Sequence, residues 1–463
     1  MIALERIRVG RRIRYTRIDT DHMGEEIFRK TVDIRLISSK STTASGKKHY
    51  IIVDADSGTI PEASYFLNEY LVNNNASVNT RRKAGETIVK FMSFNKLMVL
   101  NIRCLNENDI NRLKKFLQGE GKEQNKNSTV NSELGIIRSF LTALHIECEP
   151  LFRKTTFITT EIEDKDFTVR SEGFTYTSNL KVNKKNGVPK YITLRQYILL
   201  CELAKAARDW TAIIIMHLMF RYGMRIGEVL GLTHEDFVYM RRNGKDVPTL
   251  IIRNRLSSGD DQQNKRKDPI QSRNYYESQE YIDRWKNDEY SHYYLTESDE
   301  FEKTFIRYME TSREKAEKEH PENYAMTEAD IVHPESFKKK GLEKNHYIFI
   351  NRLGKRMNAK HWSDILKDYF VAAGIELDKG KKQYGLSHRF RHGFAMLRAH
   401  FMNPPVPVQV LQKMLHHKNI STTMRYYNPT PEDEFKIKSE MQEAMYQNFP
   451  EFRNRINDFL KDM

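Results

Sequence analysis

The amino-acid sequence predicts a mainly α-helical protein with small β-sheets, an α+β fold built from more than one domain. The first observation is the length of 463 residues, which allows two or three domains with hydrophobic cores of their own. The second is a set of four segments between Pro61 and Ile146 in which apolar residues recur with the 3.6-residue period of helices. The third is the presence of short alternating segments before them, such as EIFRKTVDIRLI and KKHYIIVDA, which are typical of strands.

Three segments with different sequence patterns make up the first part of the chain. Residues 1–57 alternate like strands around the polar turn SSKSTTASGKK. Residues 58–152 contain the four helical segments, and Asn106 is a candidate N-cap for the third of them. Residues 153–190 mix strands with basic turns such as KVNKKNGVPKYI, and we expect them to form a linker.

The second part is expected to be one larger domain, residues 191–435. TLIIRNRL alternates like a strand, SSGDDQQ follows as a turn, and YIFINRLGKRM predicts a strand and turn before a helix that begins near Lys360. The charged segment at about 275–345 is predicted to be an insertion that contains one exposed helix. Residues 436–463 are predicted to form a tail helix with an apolar stripe, which consists of Phe449, Phe452, Ile456, Phe459 and Leu460.

The charge of the chain favours a polyanionic partner. Its 76 Lys and Arg against 62 Asp and Glu give a formal net charge of +14, distributed in clusters such as RIRVGRRIRYTR, NKRK and FKKKGLEK. A membrane surface is the alternative partner, but no amphipathic basic helix with aromatic anchors is evident, and the longest apolar run, AIIIMHLMF, is too short to span a bilayer. We therefore expect nucleic acid and no membrane.

Three cysteines, Cys104, Cys148 and Cys201, are widely spaced and odd in number. Neither a disulfide framework nor a zinc cluster is predicted from them, and with no secretory signal the expected location is a reducing cytoplasm. The sequence has no G-x-x-x-x-G-K-[ST] phosphate loop, which argues against a nucleotide-driven motor.

The segment LSHRFRHGFAMLRAHFMNPPVPVQVLQKMLHHKNISTTMRYY places His388, Arg391, His417 and the paired tyrosines Tyr426 and Tyr427 within a short span. His388 and Arg391 stand three residues apart and so share one face of a helix, while His417 precedes Tyr426 by nine residues. Arg225 lies upstream in WTAIIIMHLMFRYGMRIGEVLGL. This set of side chains can cut and rejoin DNA without a metal, because it supplies a nucleophile, proton carriers and cations for the transition state.

Three segments, GMRIGEVLGL, LSHRFRHGFA and MLHHKNISTTMRYY, resemble in this order the arginine box, the H-x-x-R-H box and the L-G-H to tyrosine box of the tyrosine recombinase (phage integrase) family. The resemblance is strong over the last half of the chain and weak over the middle. It implies a helical core-binding domain at 58–152 and a catalytic domain at 191–435, which together form a C-shaped clamp on DNA. One departure is His416, which stands where the family usually has glycine.

The resemblance also implies roles for the residues. Arg225 and Arg391 would bind the non-bridging phosphate oxygens, His388 and His417 would donate hydrogen bonds and carry protons, and Tyr426 would attack phosphorus. Tyr427 is the alternative nucleophile, but the family places its tyrosine nine residues after the last histidine, which favours Tyr426.

A lysine on a β-hairpin after the first box is the general acid in the family. Lys265 fits that place best, and Lys267 is the alternative or otherwise a DNA contact. Glu228 matches the acidic position of the first box and is expected to orient its arginine through a salt bridge. His392 is expected to be a supporting residue, and no metal site is predicted, because the pair His388 and His392 lacks the glutamate of an H-E-x-x-H motif.

Further DNA contacts are expected at the start of a helix in the core-binding domain, where positive charge coincides with a helix N-terminus. These residues are Thr80, Arg81, Arg82 and Lys83. For residues 1–57 the two interpretations are an arm-type DNA-binding domain and a capping β-ribbon. The tail helix either packs on its own domain or docks on another protomer.

The function implied by the resemblance is site-specific recombination of a mobile element, by a tetramer on double-stranded DNA, with no cofactor and with a directionality or accessory protein as a further partner. A bacterial cytoplasm, with association to the nucleoid, is the implied location. Two alternatives are a type IB topoisomerase, which uses the same residue set without a partner site, and a DNA-binding regulator that has lost catalysis.

Overall fold

The structure is a computed structural model that describes most of the chain. The described residues are 2–9, 12–40, 48–74, 76, 78–119, 124–163, 168–182, 188–252, 279–280, 283, 292–296, 299–320, 347–351, 353–377, 385–402, 404–429 and 431–448. They form two compact units, Met1–Lys184 and Lys185–Met463. Among them no helix has the length and apolar character needed to cross a membrane.

The first unit combines antiparallel strands with helices. Its strands are β1 (Ile2–Val9), β2 (Arg12–Thr20), β3 (Glu26–Val32), β4 (Ile34–Lys40), β5 (Lys48–Asp54), β6 (Gly58–Thr59), β7 (Lys154–Glu163) and β8 (Thr168–Tyr176). Its helices are α1 (Pro61–Tyr65), which runs on through a π-helical turn (Phe66–Tyr70) into α2 (Leu71–Asn73), then α3 (Val78–Met98), α4 (Glu107–Gln118), α5 (Asn127–Ala143) and α6 (Glu149–Phe152).

One hydrophobic core holds the strands and helices of this unit together. The strands form sheets of order β1-β2-β3 and β4-β5-β6, and β7 pairs with β8. Tyr15, Val32 and Ile52 point from the first two sheets into the same cluster as Phe91 and Phe140 of the helices. The β-rich region at the start of the chain therefore packs directly on the helices that follow it.

The N-terminus of α4 confirms the sequence prediction of an N-cap. The Asn106 side chain accepts a hydrogen bond from the backbone N–H of Asp109, and the Asp109 carboxylate accepts one from the backbone N–H of Asn106. This reciprocal pair is a capping box, which satisfies two backbone donors that helix formation leaves unpaired.

The second unit is mainly helical with one small sheet. Its elements are α7 (Leu194–Ala206), α8 (Trp210–Arg221), α9 (Ile226–Leu230), a 3-10 turn (His234–Asp236), β9 (Phe237–Arg242), β10 (Lys245–Ile251), β11 (His292–Tyr294), α10 (Asp299–Glu319), α11 (Ala359–Ala372), α12 (His388–His400), α13 (Val408–Met414), α14 (Ile420–Met424) and α15 (Pro431–Asn448). The sheet has the order β11-β10-β9 and is antiparallel.

Helix α12 lies in the interior of this unit. Phe390 belongs to the main core with α7, α8 and α11, while Phe394 joins a second cluster that includes Tyr426 and Ile437. Gly393 is required where α12 passes α8, because a Cβ atom there would collide with the backbone carbonyl of Ile192 and with the ring of Phe220. The close packing of α12 fixes the positions of the polar residues on its other face.

Two segments that were expected to be a linker and an insertion contain secondary structure of their own. The segment expected to be a linker, 153–190, contains the β7–β8 hairpin, and the expected insertion at about 275–345 contains β11 and α10. The tail helix α15 begins at Pro431, and the apolar stripe from Phe449 to Leu460 lies outside the described residues. The fold class is α+β, as the sequence predicted.

Candidate active site

Arg225 is positioned by a turn that ends in a helix N-terminus. Gly223 takes a positive φ of 67°, a conformation that an L-residue rarely adopts, and the chain then enters α9 with Arg225 as its N-cap. The Glu228 carboxylate accepts a hydrogen bond from the backbone N–H of Arg225 at 2.7 Å and another from its Nη1 at 2.8 Å. The expected salt bridge between these two residues is therefore present.

Glu228 is a buried carboxylate that stays ionised. Burial opposes its ionisation, but the charges of Arg391 and Arg225, together with the hydrogen bonds from Arg225, outweigh burial and hold the Glu228 pKa below its usual range. A third partner is Tyr293 of β11, whose hydroxyl donates to the same carboxylate at 2.9 Å. Arg225 is therefore held by the charged Glu228 carboxylate, both oxygens of which accept hydrogen bonds.

Arg391 connects three separate segments of the unit. Its guanidinium donates hydrogen bonds to the backbone carbonyls of Gly223, before α9, and of Leu415, after α13. The residue is only 3% exposed, whereas the Arg225 side chain is 38% exposed. A guanidinium has five N–H donors, so two carbonyl contacts leave Arg391 the capacity to bind a phosphate as well.

His417 lies in the turn after α13, close to both arginines. Its Nδ1 is hydrogen-bonded to the hydroxyl of the buried Thr423 at 2.9 Å. Burial and the charges of Arg391 and Arg225 lower the pKa of His417 to about 3. In the absence of DNA the ring is therefore neutral at pH 7, and Nε2 is the nitrogen available to a ligand.

Tyr426 is buried at 2% exposure, and its hydroxyl lies 2.7 Å from Nδ1 of His392. Its backbone carbonyl is hydrogen-bonded to Nε2 of His400 at 2.6 Å. Burial raises the Tyr426 pKa, although the nearby charges of Arg391 and Arg425 act in the opposite direction. The phenol is therefore protonated in the free protein and needs a proton acceptor before it can attack.

His392 can be that acceptor. Burial and the neighbouring basic side chains lower its pKa to about 3, so the ring is neutral at pH 7. Because the tyrosine is protonated, we assign its hydroxyl as the donor and Nδ1 of the neutral imidazole as the acceptor. The sequence predicted only a supporting role for His392, whereas the structure places it in direct contact with the predicted nucleophile.

Tyr427, the alternative nucleophile, has a different environment. Its hydroxyl donates to the backbone carbonyl of Val406, and burial raises its pKa to about 12. No histidine hydrogen bond to this hydroxyl is present among the described residues. The geometry supports Tyr426 as the nucleophile and gives Tyr427 a structural contact.

His388 begins α12 and is exposed. Its ring stacks on that of His392, one turn further along the helix, with centroids 5.9 Å apart. The structure therefore brings together six residues predicted from the sequence, which are Arg225, Glu228, His388, Arg391, His417 and Tyr426. Lys265 and Lys267 lie outside the described residues, so the choice between them stays a prediction.

The predicted DNA contacts in the first unit are only partly exposed. Thr80, Arg82 and Lys83 are exposed at the start of α3, where Arg82 pairs with Glu86. Arg81 is 5% exposed, and its guanidinium lies 5.5 Å from the centroid of the Tyr50 ring. The Arg81 side chain therefore faces the core in this arrangement, and its contact with DNA stays a prediction.

Tyr293 is the site residue that the sequence analysis missed. Its contact with Glu228 joins residues 65 positions apart in the chain, and its ring lies against that of His416, with centroids 4.3 Å apart. A single tyrosine in a charged segment carries no periodic or spacing signal that would have revealed either contact. Within the described residues, no group of three or more His, Cys, Asp and Glu side chains is arranged to hold a metal ion.

Comparison with protein families gives a match in the second part of the chain. Residues 295–433 match the sequence model of the phage integrase family, and this segment contains His388, Arg391, His417 and Tyr426. This segment of the chain is therefore similar to the phage integrase family. Arg225 precedes the matched segment and reaches the same site through the fold.

One curated relative gives a sequence match of limited extent. It is the tyrosine recombinase XerC of Caldanaerobacter subterraneus subsp. tengcongensis, which is 33% identical over 88 residues. The match covers 19% of this chain and 23% of the relative's own length.

Two solved structures give matches over more of the chain. The Tn1549 transposon integrase in complex with circular intermediate DNA has 14% sequence identity and a TM-score of 0.47, over 82% of this chain and 98% of that one. The XerH site-specific recombinase bound to its difH substrate has 14% identity and a TM-score of 0.45, over 76% of this chain and 78% of that one.

Proposed function

We propose that this chain is a site-specific tyrosine recombinase that breaks and rejoins DNA strands through a covalent phosphotyrosine at Tyr426, without a metal or ATP. The observation that carries the proposal is the 2.7 Å hydrogen bond between the Tyr426 hydroxyl and His392, in a site that also contains Arg225, Arg391 and His417. The match of residues 295–433 to the phage integrase family supports the same reaction.

Binding of the scissile phosphate is the first step. Arg225 is the more exposed arginine and meets the phosphate first, while Arg391 completes the contact from within the site. Guanidinium groups suit this role because they donate two hydrogen bonds in fixed geometry and keep their charge at every physiological pH. Their charge also stabilises the additional negative charge of the pentavalent transition state.

Activation of the nucleophile is the second step. His392 accepts the phenolic proton as the Tyr426 oxygen forms a bond to phosphorus, and the negative charge of the bound phosphate raises the basicity of the nearby histidines. The ring of His388 stacks on that of His392 and holds it in this orientation. His417 donates a hydrogen bond from Nε2 to a non-bridging oxygen.

Departure of the 5′ oxygen is the third step. The bond between phosphorus and the 5′ oxygen breaks as the new bond to Tyr426 forms, and the leaving oxygen takes a proton from a lysine, for which Lys265 is proposed and Lys267 is the alternative. The phosphodiester is exchanged for a 3′-phosphotyrosine ester of similar energy. Attack by a 5′ hydroxyl of a partner strand reverses the chemistry, which is why no ATP is needed.

Access to Tyr426 requires movement, because its side chain is 2% exposed. The cluster around it includes Ile437 of α15. Helix α15 is also held by hydrogen bonds from Tyr191 to Glu440 at 2.8 Å and from the backbone N–H of Val188 to Asp433 at 3.1 Å. We propose that release of α15 exposes the nucleophile, which is one way to keep half of the protomers inactive in a tetramer.

The proposed substrate is double-stranded DNA with two specific sites, and the net charge of +14 favours binding to such a polyanion. The exposed residues at the start of α3, Thr80, Arg82 and Lys83, are proposed backbone contacts. Assembly as a homotetramer on DNA, an accessory or directionality protein, and a bacterial cytoplasmic location near the nucleoid belong to the same proposal.

The test is recovery of covalent protein–DNA adducts from cells that express the wild-type chain, Tyr426→Phe or Tyr427→Phe, followed by sequencing of the attached DNA. We expect adducts at one short sequence for the wild type and Tyr427→Phe, and none for Tyr426→Phe. Adducts scattered over supercoiled DNA would support a topoisomerase instead. Their complete absence from all three would support a DNA-binding protein without catalysis.

A further inference from the structure

We propose that Tyr293 and His416 are positioning residues for Arg225, and that they hold it in the orientation that strand cleavage requires. This inference rests on the proposed function, since it concerns how the same site binds the scissile phosphate. Neither side chain needs to touch the DNA for this role.

The hydroxyl of Tyr293 fixes the carboxylate that holds Arg225. Oε2 of Glu228 accepts from this hydroxyl at 2.9 Å and from the backbone N–H of Arg225 at 2.7 Å, while Oε1 accepts from Nη1 of Arg225 at 2.8 Å. Tyr293 is 4% exposed and Glu228 is 5% exposed, so water does not readily replace the tyrosine hydroxyl. Loss of that hydroxyl would allow the carboxylate to rotate and the guanidinium to follow it.

The ring of Tyr293 supports the turn on the other side of Arg225. It lies 4.3 Å from the His416 ring, centroid to centroid, at an interplanar angle of 45°. The His416 carbonyl in turn accepts a long hydrogen bond from Nη2 of Arg225 at 3.5 Å. One buried aromatic side chain therefore contacts both groups that orient this arginine.

The backbone of His416 has a positive φ of 49°. Such a conformation is unfavourable for a residue with a Cβ atom, so a histidine there needs a compensating contact. The Tyr293 ring supplies that contact. We infer that these two residues form a pair in this chain, in which the tyrosine on β11 stabilises the histidine in the turn.

The test uses Tyr293→Phe, which keeps the ring against His416 and removes only the hydroxyl. The matched control is Tyr308→Phe, because the Tyr308 hydroxyl also donates to a side chain of this unit, Thr211 at 3.1 Å, away from the site. The substrate is a nicked duplex carrying the sequence recovered from wild-type adducts. The measurements are the single-turnover rate of adduct formation, the Kd for the duplex and the Tm.

We expect Tyr293→Phe to slow adduct formation by about 10-fold to 100-fold, because small displacements of a catalytic group have effects of this size. The Kd and Tm should match those of Tyr308→Phe, which should react at the wild-type rate. Equal adduct rates for Tyr293→Phe and Tyr308→Phe, with an active wild type, would overturn the inference. A wild type that forms no adduct would instead overturn the proposed function.

A second substrate distinguishes a loss of Arg225 positioning from a general structural defect of the variant protein. A methylphosphonate at the scissile position lacks the negative charge that Arg225 neutralises, so the defect of Tyr293→Phe should shrink on it. An equal defect on both substrates would show a merely structural role and would contradict the inference.

His416→Gly tests the other member of the pair. Glycine adopts a positive φ without strain, so the Tm should be unchanged or higher, while loss of the ring contact should slow adduct formation. Adduct formation at the wild-type rate in His416→Gly would overturn the role of His416.

Discussion

The hydroxyl of Tyr426 and Nδ1 of His392 are hydrogen-bonded at 2.7 Å. His392 directly follows Arg391 on α12, so the helix that places the proposed proton acceptor also places the arginine proposed to bind phosphate. In the proposed mechanism, proton transfer and phosphate binding are therefore coupled through one helix. The proposed mechanism depends on this coupling, because the tyrosine is protonated and buried in the free protein.

The role of His392 can be tested with His392→Asn. Asparagine places an amide near the position of Nδ1 and can keep a hydrogen bond to Tyr426, but it cannot accept a proton. We expect adduct formation to slow by about 100-fold or more, because general-base catalysis contributes a rate factor of this size. The measurement is the single-turnover rate, with DNA affinity measured in parallel.

His361→Asn is the matched control, because His361 is an exposed histidine on α11 of the same unit. It should react at the wild-type rate. Retention of that rate by His392→Asn would remove His392 from the mechanism and leave proton acceptance to another group.

The histidines of the site predict a pH dependence of stability. The pKa values of His417 and His392 are each lowered to about 3 in the folded protein, whereas the pKa of an unfolded histidine is about 6.5. Between these values the unfolded state binds more protons, so the free energy of unfolding must fall as the pH falls below 6.5. Each histidine contributes a slope of about 1.4 kcal/mol per pH unit.

The variant for this test is His417→Asn, which can keep the hydrogen bond to Thr423. Urea unfolding between pH 6 and pH 4 should show a slope lower by about 1.4 kcal/mol per pH unit than that of the wild type. An unchanged slope in His417→Asn would mean that the ring is protonated in the folded protein.

Gly393→Ala tests the packing that positions the polar face of α12. The added Cβ would collide with the Ile192 carbonyl and the Phe220 ring, so we expect destabilisation by about 1–3 kcal/mol and loss of adduct formation. Gly135→Ala in α5 is the matched control, since its added Cβ would meet no atom within 4 Å beyond the neighbouring backbone of its own helix. Helix propensity there predicts stabilisation by up to about 1 kcal/mol, measured by urea unfolding.

The contact between Tyr191 and Glu440 tests whether α15 restrains the nucleophile. Tyr191→Phe removes its hydrogen bond, so release of α15 should be easier and adduct formation faster. Arg195→Gln is the control, because its ion pair with Glu443 is exposed on both sides and contributes little. A slower or unchanged rate in Tyr191→Phe would show that α15 does not limit access to Tyr426.

Residues that are related to near neighbours in the sequence could be predicted from it. The positions of His388, Arg391, His417 and Tyr426 follow from helix geometry and from short motifs, and the structure brings them together. The Asn106 cap follows in the same way, because a capping box involves neighbours three residues apart. The α+β class and the four helical segments expected at residues 58–152 rest on periodicity, which is also local information.

Residues whose environment is set by distant parts of the chain could not be predicted. Arg81 was expected to contact DNA because of its charge, but it shares a helix face with Ala84 and Ile88, which face the core. Tyr293 contacts Glu228 only because β11 pairs with β10 beside α9. The direct contact of His392 with Tyr426 likewise depends on how α14 packs against α12.

Tyr426 is the residue that we propose becomes covalently joined to DNA. The most direct measurement is to incubate the purified chain with its target duplex, digest the adduct with nuclease and trypsin, and sequence the modified peptide by mass spectrometry. Trypsin cleaves after Arg425 and Lys436, so both tyrosines fall in one peptide and its fragments distinguish them. We predict a 3′-linked nucleotide on Tyr426, and its presence on Tyr427 or on another residue would contradict the account.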